Sequence, residues 1–137
     1  MAEFPYITFD DPARADRVYR PILKLELVNG MNRLPCYGLV DTGADFCSFP
    51  MSFAYQLGLN PLNQTPTPTL GAGGGGSAPT YHFDVILDID GLVRFPVRAG
   101  FMDSLDAIGM GLLGHKDFLD RVKAVFDRKR LVFSLEI

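Results

Sequence analysis

One stretch of this sequence carries residue types at a spacing suited to chemistry: Gly38-Leu39-Val40-Asp41-Thr42-Gly43-Ala44-Asp45. Apolar strand-forming residues run into an acid, a small hydroxyl and a glycine. A buried ladder ending there would present the Asp41 carboxylate at its tip, where it can take up or release a proton. Thr42 has a hydroxyl to give to neighbouring backbone, and Gly43 permits a tight turn that a side chain would obstruct. Any Asp-Thr-Gly can equally be an ordinary turn, so the bare tripeptide leaves both readings open. Other chemistries find less support. His82 and His115 are too few and too far apart for a zinc site, and no Ser-His or Cys-His spacing stands out. The run Gly71-Ala72-Gly73-Gly74-Gly75-Gly76-Ser77 leads into Ala78-Pro79-Thr80, without the lysine and helix that a phosphate-cradling loop needs. Neither a metal nor a cofactor is expected.

The elements that must position Asp41 read mostly with period two. Leu23, Leu25 and Leu27 alternate with Lys24 and Glu26, a half-buried strand, and Asn29-Gly30 supplies a turn. Cys36 to Val40 is the next strand, running into Asp41. Pro50 suits a first helical position, Met51 to Leu57 a short helix, and Gly58 its C-terminal cap. Tyr81 to Ala99 reads as a hairpin with a three-residue loop, Asp90-Gly91-Leu92. That register pairs Ile89 with Val93, Leu87 with Phe95 and Val85 with Val97, and sets Asp88 opposite Arg94 and Asp84 opposite Arg98. These acids are therefore a solvated face, not a metal site. Gly111-Leu112-Leu113-Gly114 precedes a helical segment from His115 to about Val122. Two strands, Val122 to Asp127 and Leu131 to Ile137, then flank Arg128-Lys129-Arg130. The sum is an all-β, barrel-like domain with two short helices.

Length and composition narrow the function classes. The chain has 137 residues, with 13 Lys+Arg against 16 Asp+Glu and a formal charge of -3, so no cationic excess serves nucleic-acid binding. Its apolar runs are far shorter than the roughly 20 residues of a spanning helix, and no membrane partner is expected. MAEFPYITFDD does not read as a signal peptide, so a cytoplasmic location is expected, with Cys36 and Cys47 as buried free thiols. Were the glycine run a linker, it would leave pieces of roughly 70 and 60 residues, each too small for a comfortable core. A mobile loop within one domain is the expectation instead. Residues 1–20 read as an N-terminal arm and 21–137 as the domain.

With these elements in order, roughly residues 20–137 resemble the retropepsins, the single-domain aspartic proteases of retroviruses and their cellular and bacterial relatives. Three features carry the resemblance: Leu39-Val40-Asp41-Thr42-Gly43-Ala44-Asp45, the glycine-rich stretch Gly71 to Ser77, and Leu112-Leu113-Gly114 before a helical segment. The echo between the first and third is what the family's crossed loops look like in sequence. The resemblance implies a closed barrel with one lobe per chain and an aspartic endopeptidase acting on a polypeptide substrate. Asp41 would be the catalytic acid/base, with Thr42 bracing the active-site loops. Gly43 and Asp45 would hold substrate backbone, and Gly73, Gly74 and Gly75 would form the tip of a flap. Such hydrolysis needs two carboxylates sharing a proton. The chain has one Asp-Thr-Gly and no Asp-Ser-Gly, and Asp103, Asp106 and Asp117 lack the pattern. The second carboxylate must then come from a second chain, in a homodimer. Leu131 to Ile137 has the alternation to interleave with that partner, and the N-terminal arm could add to the contact or replace it. His115 and Lys116 stand where the retroviral pattern has an arginine paired with the acid equivalent to Asp45. Ala44 offers no hydroxyl to the carboxylate, which places expected activity nearer neutral pH. The rival reading is a retropepsin-fold binding or scaffold domain that no longer cuts.

Overall fold

The period-two pattern folds into twelve strands among the residues described by the structure, a computed structural model: 2–13, 16–71, 76–90 and 92–137. The N-terminal twenty residues contain β1 (Ala2–Pro5), β2 (Ile7–Asp11) and β3 (Asp16–Arg20). Next come β4 (Ile22–Asn29), β5 (Asn32–Val40), the short β6 (Ser48–Pro50) and helix α1 (Met51–Gln56). Strands β7 (Thr67–Leu70), β8 (Ser77–Ile89), β9 (Val93–Met102) and β10 (Gly111–Leu113) follow. The chain ends in β11 (Lys123–Asp127) and β12 (Val132–Glu136).

The main sheet runs β4-β5-β10-β6-β9-β8-β7, and β4 also pairs with β8, which closes six of these strands into a barrel. The inward residues of each strand fill it: Leu23 and Leu27 of β4, Leu87 of β8, Val97 and Phe101 of β9, Phe49 of β6 and Leu113 of β10 are all fully buried. The β8–β9 register is the expected one, with Ile89 opposite Val93, Leu87 opposite Phe95 and Val85 opposite Val97. Asp84 meets Arg98 at 3.4 Å as anticipated. Asp88 faces Arg94 at 3.9 Å but lies closer to Arg33, at 3.0 Å, and Arg33 also holds Glu26 at 2.7 Å. Barrel closure explains the extra partner. It sets β5, β4, β8 and β9 side by side, so alternating charges cross the closing seam.

Several elements differ from expectation. Strand β5 starts at Asn32 rather than Cys36, because β4 pairs with it along its whole length from Asn29↔Asn32 to Ile22↔Leu39. Pro50 precedes α1 as its N-cap instead of opening it, while Gly58, at φ +73°, terminates it as anticipated. The segment after Gly114 contracts to a single 3-10 turn, Leu119–Arg121, because the left-handed Asp117 before it interrupts a longer helix. The most consequential difference is at the C-terminus. Strand β12 lies between β1 and β11 in a three-stranded sheet, so its own chain occupies both edges. Residues 131–137 therefore offer no free edge for interleaving with a second chain. Residues 7–20 form a separate two-stranded hairpin, β2–β3.

The barrel positions β10 through close packing. Leu113 is fully buried, and its Cγ lies 2.9 Å from where a Cβ on Gly38 would stand. Truncation by Leu113→Ala leaves a cavity beneath the facing strand and is expected to cost about 2–5 kcal/mol of stability, measured by urea unfolding.

Candidate active site

Asp41 sits where β5 ends, and a parallel partner determines that end. Strand β10 runs alongside β5 with Gly111↔Gly38, Leu112↔Leu39 and Leu113↔Val40 in register. Glycines face each other at the start of this pair because bulky side chains pass over both. A Cβ at Gly111 would collide with the Phe49 ring, and one at Gly38 would press on Leu113 and Leu25. Past the last pair, Asp41 N donates to Leu113 O at 3.0 Å, which holds the residue at the mouth of the ladder.

From there the two loops zip together. His115 N donates to Ala44 O and Lys116 N to Asp45 O, both at 2.9 Å, and Phe46 bridges to Lys116. The His115 ring Nε2 lies 2.6 Å from Thr42 O; as donor it ties the exposed tip of one loop to the other. Thr42 thus joins the loops through its carbonyl, while its hydroxyl makes no hydrogen bond among the described residues. Gly114 belongs to the same contact. A Cβ there would come within 2.5 Å of the carbonyl oxygens of both Ala44 and Phe46.

The half-buried Asp41 carboxylate accepts from Gly43 N at 2.9 Å, and Ala44 N returns to Asp41 O at 3.2 Å. Gly43 is not left-handed. A Cβ on it would stand 3.2 Å from Asp41 Oδ1, so the glycine leaves room for the carboxylate to fold back onto the loop's own N–H. Asp45 is exposed, and its carboxylate has no partner among the described residues. Neither His115 nor Lys116 pairs with it: the His115 ring is directed at Thr42 instead. Asp41, Thr42, Gly43 and Asp45 therefore share one loop, whereas Gly73, Gly74 and Gly75 lie outside the described residues.

Two of the other acids named near the second loop, Asp106 and Asp117, have structural tasks. Asp106 Oδ1 accepts from Ser52 N at 3.1 Å in the first turn of α1. Asp117 accepts from Arg98 N at 2.9 Å and pairs with Arg121 at 3.4 Å. The cysteines are chemically quiet: burial pushes the Cys36 thiol up to about 12 and the Cys47 thiol up to about 11, so neither is a thiolate at neutral pH.

Strands β7 and β8 form a hairpin whose free end includes Gly71 and Gly76, and its base is strongly tied. Thr69 and Thr80 share a hydroxyl hydrogen bond of 2.7 Å, with Thr80 fully buried. Gln64 copies a strand partner: its Nε2 donates to His82 O at 3.1 Å, and its Oε1 accepts from His82 N at 3.0 Å. The sequence reading missed these residues. The one local signal was the threonine alternation at 65, 67 and 69, which resembles a β-edge. The His82 ring packs against Phe46 at 5.1 Å, linking the hairpin base to the Asp41 loop.

Comparison with known proteins gives consistent results. Residues 27–116 match a protein-family model described as aspartyl protease. A retropepsin-like aspartic protease from Rickettsia conorii aligns with a TM-score of 0.60 at 20% identity, over 98% of this chain and 99% of that one. The EIAV protease complexed with the inhibitor HBY-793 aligns over 70% of this chain and 82% of that one, at 23% identity and a TM-score of 0.48. No curated protein matches the sequence. The fold is the all-β retropepsin-like barrel, one lobe per chain.

Two measurements probe this framework. Gly114→Ala forces a methyl against two backbone carbonyls that cannot swing away, and is expected to cost about 3 kcal/mol or more in chemical denaturation. His82 is held below its ordinary pKa, first by burial and then by the charges of Arg98 and Lys116. The unfolded chain therefore takes up that proton more readily. Stability is unaffected above the unfolded value near 6.5 and falls as pH drops through the lower folded value. Thermal melts should show His82→Asn losing less stability than wild type as pH falls below about 6.5.

Proposed function

The chain belongs to the aspartyl protease family, with the retropepsin-like fold, and from that premise we propose that it is an endopeptidase whose carboxylate dyad forms across a homodimer, one Asp41 from each subunit. One observation carries the reading. Asp41 is delivered to the loop tip by the β5–β10 ladder, while Asp106 and Asp117, nearby acids of the same chain, are committed to α1 and β9. Asp41 alone ends that ladder, and Asp45 and Asp103 do not, so a single chain supplies one carboxylate in this setting where the chemistry uses two.

Two carboxylates about 3 Å apart cannot both ionise, so the pair holds one proton between them. The ionised Asp41 takes a proton from water as the water oxygen bonds to the peptide carbonyl carbon. The protonated Asp41 of the other subunit gives its proton to the carbonyl oxygen. As the tetrahedral diol collapses and its C–N bond breaks, the Asp41 that took the water proton passes it to the leaving nitrogen and the other takes a proton from a diol hydroxyl, so the dyad ends singly protonated. Gly43 N steadies the Asp41 carboxylate throughout. The unpaired Asp45 carboxylate and the exposed Gly43 backbone are suited to hydrogen bonds from an extended peptide. The β7–β8 hairpin is the flap in this reading, with Gly73, Gly74 and Gly75 at its tip. His115 replaces a salt bridge to Asp45 with a bond to Thr42 O, holding the loop without using the charge that Asp45 offers to substrate.

Incubating a diverse peptide library with wild type and Asp41→Asn, and reading cuts by mass spectrometry at several pH values, tests the proposal. Asp41→Asn keeps the shape and loses the acid/base group, so specific cleavage should fall at least about a thousandfold. Absence of wild-type cuts from protein shown to be dimeric would favour the binding-domain reading.

A further inference from the structure

A homodimer needs a surface, and strand edges are where this fold could provide one. An open edge presents unpaired N–H and C=O groups to any strand of matching length, so proteins blunt the edges they do not use. Most open edges here are blunted. Strand β1 carries Pro5, which has no N–H to give, and Glu3, already within 3.4 Å of Arg130. Strand β7 carries Pro68. In the separate hairpin, β2 ends in Asp10 and Asp11, and β3 is capped where Arg128 donates to Tyr19 O at 3.0 Å.

Strand β11 is blunted least: it carries no proline and no charge at its centre. It pairs with β12 on one side, and no described strand takes its other side. Its centre is apolar and part-exposed, with Val125 42% and Phe126 38% exposed, while charge appears only at its ends, as Lys123 and as Asp127, whose Oδ1 accepts from Arg130 N at 3.0 Å and whose Oδ2 lies 3.9 Å from the Arg130 guanidinium. The order of these residues is self-complementary. Two copies of Lys-Ala-Val-Phe-Asp laid antiparallel about Val125 set each Lys123 opposite an Asp127, each Ala124 opposite a Phe126, and Val125 opposite itself. A residue-centred two-fold is allowed in either phase of an antiparallel ladder, and the same patch then serves both subunits, as a two-fold dimer requires.

We propose that a second copy of this chain docks on the open edge of β11, antiparallel and centred on Val125, making one six-stranded sheet from the two β1-β12-β11 sheets. The inference rests on the dimeric reading above and names its surface. The location also suits the chemistry. Strand β11 follows the Leu119–Arg121 turn, whose Leu119 N donates to Gly114 O at 3.0 Å and Asp120 N to His115 O at 2.9 Å. The docking strand is thus fastened to the loop pair that holds Asp41.

The test is a charge exchange in trans, read by sedimentation equilibrium alongside peptide cleavage. In Lys123→Glu alone, like charges oppose twice across the axis, as they do in Asp127→Lys alone. Each should raise the dimer dissociation constant about tenfold or more. Mixed together, each altered charge faces its opposite, and the mixture should dimerise and cleave better than either variant alone. Effects inside one subunit, such as the loss of Lys123 opposite Glu136, are the same alone and mixed, so they cannot produce that recovery. Val125→Cys should form a disulfide-linked dimer on mild oxidation, whereas wild type, with Cys36 and Cys47 buried, should not. A wild-type dimer that is insensitive to both charge variants and gives no cross-link at position 125 would overturn this surface and leave the dyad intact. A wild-type chain that cleaves while monomeric at every concentration would overturn both.

Discussion

The hydrogen bond from Asp41 N to Leu113 O is the constraint on which the rest of the site depends. It is the step beyond a three-residue parallel ladder, β5 on β10, and parallel ladders are stable only when both faces are covered. Phe49 and Leu113 supply that cover from inside the barrel, and they fit because Gly38 and Gly111 have no side chains to obstruct them. The apolar core and the carboxylate are therefore two ends of one arrangement. A change of volume at Leu113 is transmitted to Asp41 through a single backbone bond. Beyond that bond, the His115 and Lys116 amides and the His115 ring fasten the second loop to Ala44, Asp45 and Thr42, so neither loop has an independent position.

Charge is distributed to the same end. Acidic side chains around the loops could compete with Asp41 for protons or for substrate, but the fold gives several of them other work. Asp106 satisfies an orphan amide at the start of α1, where Pro50 has no side-chain oxygen to offer. Asp117, strained at φ 69°, bonds the β9 backbone and Arg121. Asp84 and Asp88 are neutralised by arginines across the barrel wall. Asp45 alone on the site loop keeps an uncommitted carboxylate, since its expected cationic partner has been replaced by a ring that reaches Thr42 instead.

Local patterns made much of this legible. The leucine alternation of β4, the β8–β9 register and the Gly58 stop each depend on neighbours within a few residues or on one hairpin, and period-two burial reports them directly. The Asp41 loop was legible because its apolar approach and its echo at residues 111–114 are both contiguous. What escaped depends on long-range pairing. The insertion of β12 between β1 and β11 joins residues about as far apart as the chain allows, and nothing in Val132 to Glu136 distinguishes an interior strand from an interface strand. The Gln64 clamp and the His115–Thr42 bond are single polar contacts set by tertiary position, which periodicity does not encode. The helix anticipated after Gly114 failed for a local reason: Asp117 takes a left-handed φ of 69°, which a continuous helix cannot include.

The hairpin beside the site shows how the same economy shapes movement. Its base is closed by the Gln64 amide on both backbone groups of His82 and by the Thr69–Thr80 hydroxyl pair, with Thr80 fully buried against Gly100. Bending there would break these bonds, at a cost of about 1–3 kcal/mol for each buried polar group left unsatisfied. The last described pair of the hairpin is Leu70↔Ser77, and Leu70 stands 80% exposed. In the proposed function, Leu70 is the apolar side chain at the described end of the hairpin positioned to gain cover from a bound peptide. The Phe46–His82 contact ties that base to the Asp41 loop, so the two sides of the peptide-binding space share one reference frame.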